Sequence, residues 1–308
     1  MGTRRADYKQ QVFSTVDLFV SGICPHDCGS NDTVRFCSPM THLNQRPPAV
    51  AGVFYSDAVE TLRRDIEEML ASQTASGPAP KAIVVPHAGY VYSGSVAAAA
   101  YVRLRDAAAD IRRVVLVGPS HRVAFHGLAV PSVDAFATPL GAVPVDAELR
   151  REVVLQPGVI TSDRAHQFEH SLEVQVPFLQ TVLRDFTLLP IVAGDAAAAD
   201  VADVLDCVWG GPETLIVVST DLSHFLDYAS ARVRDAATGQ RILAFSAELD
   251  GEDACGCVGL NGFLLAAARR GLTSEAIAQC NSGDTAGDRR RVVGYGAFAF
   301  YAANDITH

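Results

Sequence analysis

The stretch VVPHAGYVYSG, Val84 to Gly94, decides the fold. Ala82, Ile83, Val84 and Val85 are apolar at consecutive positions with no polar alternation, the pattern of a short strand covered on both faces. Pro86 ends that strand, and Gly89 and Gly94 let the chain bend into the alanine-rich stretch that follows, which reads as helix. His87 stands in the turn. Alone, it reads as a polar turn residue rather than as a side chain presented at a strand end for chemistry.

The same grammar recurs twice. VVLVGPSH places His121 just past an apolar strand, and LIVVSTDLSH places Asp221 and His224 just past another. If the three strands are parallel neighbours, these side chains meet in the crevice outside the carboxyl ends, where open α/β sheets build their sites. From about residue 47 onward, apolar runs alternate with amphipathic stretches. Strands are expected at 82–85, 114–117, 128–130, 187–192, 215–218 and 292–301, and helices near 58–72, 95–105, 146–155, 172–183, 196–208, 230–245 and 256–270. Pro177 falls inside the fourth helix and either kinks it or opens its first turn. The expected fold is a single α/β domain over residues 46–308, with a central, largely parallel sheet flanked by helices.

Composition narrows the function. The 308 residues are 49% hydrophobic, enough for a large core, and 25 basic against 35 acidic residues give a net charge of −10. That balance argues against a nucleic-acid surface, and no apolar run is long enough to span a membrane. Seven cysteines, an odd number in a long chain, fit a reducing cytoplasm better than a disulfide framework. Residues 1–45 lack periodicity and are expected to form a disordered extension; Cys24, His26, Cys28 and Cys37 within it do not match a zinc spacing. Neither a G-x-S-x-G elbow nor a phosphate-binding P-loop is present.

Histidines at strand ends suit iron, copper or zinc rather than magnesium or calcium. Candidates for a further ligand are Cys255, Cys257, Glu169, Glu173 and His170. Cys255 precedes a helical stretch whose amides and dipole would favour a thiolate, although both cysteines also read as small packing residues among glycines. In FEHSLE, Glu169 and Glu173 have helical i, i+4 spacing, and they read either as solvent-facing or as orienting a metal-bound histidine. His126 and His166 read as surface loop residues, and His42 and His308 belong to terminal segments.

RPPAVAGVFY, PHAGYVYSG, GPSH, TPLGAVPVD, EHSLEVQVPFL, STDLSH and GYGAFAF, in this order over residues 46 to 302, resemble the Memo family, whose bacterial and archaeal members are called AmmeMemoRadiSam system protein B. The resemblance implies a fold similar to class III extradiol ring-cleaving dioxygenases. It also implies two histidines and a cysteine around a metal: His87 in PHAGY, His121 in GPSH and Cys255 in DACGC. His224 of STDLSH matches the acid/base position of the dioxygenase relatives. Glu169 and His170 would support the ligands, and Asp221 would orient His224. A thiolate in place of the dioxygenase carboxylate is softer, so iron or copper is expected and ring cleavage does not carry across with the fold. The expected function is a metal-dependent oxidoreductase acting on an unidentified small molecule or peptide. The rival is a non-catalytic protein that binds peptides or handles metal, since animal members are described as phosphotyrosine-peptide adaptors. The bacterial family name suggests a radical-SAM protein and an AMMECR1-type protein as partners.

Overall fold

The computed structural model describes residues 44–75 and 77–302. The expectations placed on residues 1–43, including the cysteine cluster and His42, and on His308 lie outside these residues. In chain order the elements are β1 (Gln45–Arg46), α1 (Val59–Ala71), β2 (Ala82–Val85), α2 (Tyr90–Tyr101), β3 (Arg113–Pro119), β4 (Leu128–Val130), β5 (Ala135–Thr138) and β6 (Gly141–Pro144). There follow α3 (Ala147–Val153), β7 (Val159–Thr161), α4 (Asp163–Gln167), α5 (Val176–Val182), β8 (Thr187–Ala193) and α6 (Ala198–Cys207). The last are β9 (Thr214–Ser219), β10 (His224–Leu226), α7 (Tyr228–Leu243), α8 (Cys257–Arg269), β11 (Thr273–Asn281) and β12 (Val292–Tyr301).

The main sheet runs β10-β12-β2-β9-β3-β8-β4-β7, with β11 also paired to β12. Its centre, β2-β9-β3-β8, is parallel. Both flanks turn antiparallel, β12 against β2 and β4 against β8, so the sheet as a whole is mixed. The parallel strands are buried on both faces, as their unbroken apolar runs require. Ile83, Val85, Val114 and Leu116 pack with α1, α2 and α5; Ala82, Val84, Val115 and Val117 pack with α3, α6 and α8. Each fully buried Val or Ile contributes roughly 1.5–3 kcal/mol of transfer free energy. A second sheet of β1, β5 and β6 stands apart from the main one.

Helix α2 begins at Tyr90, earlier than the expected 95, because tertiary contacts override the local signal. The Tyr90 amide donates to Phe54 O, and its hydroxyl donates to Val174 O. Pro177 lies in the first turn of α5, where its missing amide leaves no helical bond unmade. No helix among the described residues is long and apolar enough to cross a membrane.

Candidate metal centre

Strands β2, β9 and β3 lie side by side, Val85 paired with Ser219 and Val117 with Val218. Their carboxyl ends therefore deliver His87, Asp221 and His121 to one place. The ring centroids of His87 and His121 are 5.1 Å apart, and a third imidazole, His170, stands 5.4 Å from His87 and 4.7 Å from His121. Donor atoms of these three lie within 4.8 Å of one another, so the group could hold a metal ion. His170, expected in a supporting role, is thus in the donor set. Cys255, expected as the third ligand, is not, but its Sγ lies 3.3 Å from His87 Nε2.

Hydrogen bonds fix which nitrogen faces inward. The Ser219 hydroxyl has one proton and donates it to Ser171 O at 2.6 Å. It must then accept from Gln175 Nε2 and from His87 Nδ1, at 2.9 and 3.0 Å. His87 Nδ1 is therefore protonated, and Nε2 presents a bare lone pair. His121 Nδ1 lies 3.0 Å from Glu169 Oε1, so a carboxylate holds the proton side and leaves Nε2 free. His170 Nδ1 is buried and makes no hydrogen bond, but it faces Glu169 Oε1 at 3.4 Å. Imidazole nitrogens gathered in this way suit a borderline or soft ion such as iron, copper or zinc. Burial holds His87 well below the ordinary histidine value and His170 down to about 4, so both are neutral and able to ligate near neutral pH.

The loop carrying His170 is built on Glu169. Its carboxylate accepts from the His121 ring and amide and from the amides of His170 and Ser171. Burial alone would raise this carboxyl, but the hydrogen bonds from His121 and from the Ser171 amide hold it down to about 2. Glu173, four residues on, does something different. It pairs with Arg46 at 2.7 Å and accepts from Tyr55 and from the amides of Ala49 and Val50. Arg46 also donates to His166 O and Glu169 O, tying the loop to β1. Both glutamates are 1% exposed, so the solvent-facing alternative fails. Nor do they share a helix face, because Glu169 and His170 precede the 3-10 turn Glu173–Gln175. His166 is likewise buried rather than a surface residue. Its Nε2 donates to Ala129 O, and burial pushes it down to about 4.

Asp221, 5% exposed, accepts from the His87 amide at 2.8 Å, and burial raises it to about 7. It braces His87 and makes no hydrogen bond to His224. The ring of His224 is held instead by Leu222 O, 2.8 Å from Nδ1. A carbonyl only accepts, so Nδ1 carries the proton, and in the neutral ring Nε2 is bare; burial lowers the ring from the ordinary histidine value. Cys255 reaches His87 because the turn before α8 packs tightly on the end of β9. A Cβ on Gly256 would meet Thr220 Cβ at 2.7 Å and Ser219 O at 2.8 Å. Cys255 does stand just before α8, as expected, but the helix-dipole argument for a thiolate does not hold, because burial, reinforced by Asp221, pushes the thiol up.

Arg46, Ser219, Gln175 and Leu222 were not singled out from the sequence. Arg46 and Ser219 fall inside recognisable stretches, RPPAV and VVSTD, whereas nothing in a sequence marks a carbonyl such as that of Leu222. Residues 46–299 match the family described as Memo-like protein. A MEMO1 family protein of Aquifex aeolicus is 37% identical over 268 residues, covering 82% of this chain and 98% of that protein. Those of Methanopyrus kandleri and Archaeoglobus fulgidus are 33% and 36% identical, each covering 83% of this chain and 99% of the relative. With its motifs on the strand ends that bring the histidines together, and relatives matched over nearly their whole length, the chain belongs to the Memo family.

Proposed function

We propose that this protein is an oxidoreductase dependent on iron or copper. His87, His121 and His170 hold the ion, and Cys255 is close enough to His87 Nε2 to join them. The observation that carries the reading is an exposed ligand, His121, with a half-buried histidine, His224, within electrostatic reach of it, whose bare Nε2 makes it a proton acceptor. A storage or structural site has closed coordination and no use for a proton acceptor beside it.

The metal, when bound, supplies redox change and Lewis acidity. The chain's own residues do the rest. Glu169 fixes the His121 tautomer, and Ser219 and Gln175 fix that of His87. Asp221 holds the His87 main chain. His224 takes a proton from substrate at Nε2 while Leu222 O keeps the opposite proton in place. Four described cysteines, Cys207, Cys255, Cys257 and Cys280, are free thiols, which supports a reducing, cytoplasmic setting.

The test is oxygen consumption by anaerobically purified protein loaded with Fe(II) or Cu(I), across catechols, thiols and other reductants. Wild type should turn over at least one class, and His224→Gln should keep its metal while slowing turnover about 10²–10⁴-fold. Loss of metal in His224→Gln would make that residue a ligand. A metal-loaded wild type inert to every reductant would shift the reading to metal handling or peptide binding.

A further inference from the structure

We infer that Asp235 of α7 is the positioning residue that fixes His224 in its proton-accepting tautomer, a reading that rests on the acid/base role proposed for that histidine. Asp235 is 2% exposed. Its Oδ1 accepts the Ser223 amide at 3.0 Å. On the other side of the same turn, the Leu222 amide donates to Gly294 O and the Gly294 amide donates to Ser223 O, both at 2.8 Å. Residues 222 and 223 are thereby clamped between α7 and β12. The clamp aims Leu222 O at His224 Nδ1.

Two further features show that the turn is imposed by its surroundings. Phe225, directly after His224, has φ 63°, a left-handed conformation that costs an aromatic residue on the order of 1–3 kcal/mol. The β10–β12 register slips at the same point, His224 facing Val293 and Leu226 facing Val292. Gly294 is also committed to this arrangement. A Cβ there would lie 2.0 Å from Asp235 Oδ2, so the strand can carry no side chain at that position while the carboxylate is in place. Without the clamp, the 222–225 turn relaxes, Leu222 O leaves Nδ1, and the ring takes the Nε2–H form favoured by an untethered imidazole in water. That form has no lone pair to offer at Nε2.

Nitrogen-15 correlation spectra of the imidazoles test this in the full chain carrying zinc(II) as a diamagnetic ion, with the His224 signals assigned by difference against His224→Gln. Wild type should show His224 protonated at Nδ1. Asp235→Ala and Gly294→Ala should convert it to the Nε2–H or an averaged form, and Asp235→Asn, whose amide oxygen still accepts from Ser223, should retain the wild-type signature. If Asp235→Ala does not fold, Gly294→Ala displaces the same carboxylate without removing it and carries the comparison. A folded Asp235→Ala or Gly294→Ala with an unchanged Nδ1–H signal would overturn the inference, as would an Nε2–H signal in wild type. The tautomer is read without turnover, so an inert protein with the expected signals would count against the oxidoreductase reading alone.

Discussion

Glu169 shows how much of the centre depends on one side chain that touches no ion. It sets the His121 tautomer and holds the His170 and Ser171 amides in the same grip. Glu169→Gln places an amide donor where several N–H groups need an acceptor, and supporting residues of this kind are worth about 10–100-fold in metal affinity. Competition against a chromophoric chelator should show that loss with the fold retained; unchanged affinity would mean that His121 needs no such support. The neighbouring cysteines should separate too. Cys255→Ser should weaken binding and abolish any thiolate-to-metal charge-transfer band, because its Sγ stands 3.3 Å from His87 Nε2. Cys257 opens α8 and packs against the core, so Cys257→Ser should change neither. His87 and His121 were legible in the sequence because each follows an unbroken apolar run. A supporting role for Glu169 was expected too, although not through the helix face that its spacing to Glu173 imitates and the chain never forms.

At the scale of elements, the loop from His166 to Glu173 is held from the side by β1 through Arg46. That guanidinium is 3% exposed in its side chain, binds two loop carbonyls and pairs with Glu173. Removing one partner of such a pair leaves a buried charge uncompensated, at a cost of about 3–5 kcal/mol. Arg46→Ala should therefore lower the denaturant midpoint and also reduce metal occupancy. Arg46→Lys should restore little of either, because an ammonium cannot reproduce the planar fork. Retained stability and occupancy in both variants would show that the loop holds itself. Fully buried strands were readable from their unbroken apolar runs, whereas β11 was not: TSEAIAQCN is mostly half-exposed at the sheet margin and has few apolar residues to mark it. β10 escaped notice because three residues with a left-handed Phe225 at their centre carry no periodic signal.

For the molecule as a whole, the central parallel strands and their helical cover followed from the sequence, while the antiparallel flanks depend on pairings between distant segments that local patterns do not encode. Burial of His166 has a consequence for global stability. Its folded value of about 4 lies below the ordinary 6.5, so between these the unfolded chain binds a proton that the folded chain refuses. Stability should then fall as pH drops from about 6.5 toward 4, by on the order of 3 kcal/mol from this residue. His166→Gln, which can still donate to Ala129 O, should flatten that acid limb in urea titrations; an identical slope would assign the loss to other groups.

The central claim is that the three imidazoles hold a metal. Anaerobic purification followed by elemental analysis of wild type, His87→Ala, His121→Ala and His170→Ala tests it most directly, with circular dichroism to confirm the fold. Wild type should carry close to one iron or copper per chain, and each variant should lose most of it while remaining folded. Wild-type stoichiometry in all three variants, or a wild type that binds neither metal, would contradict the assignment.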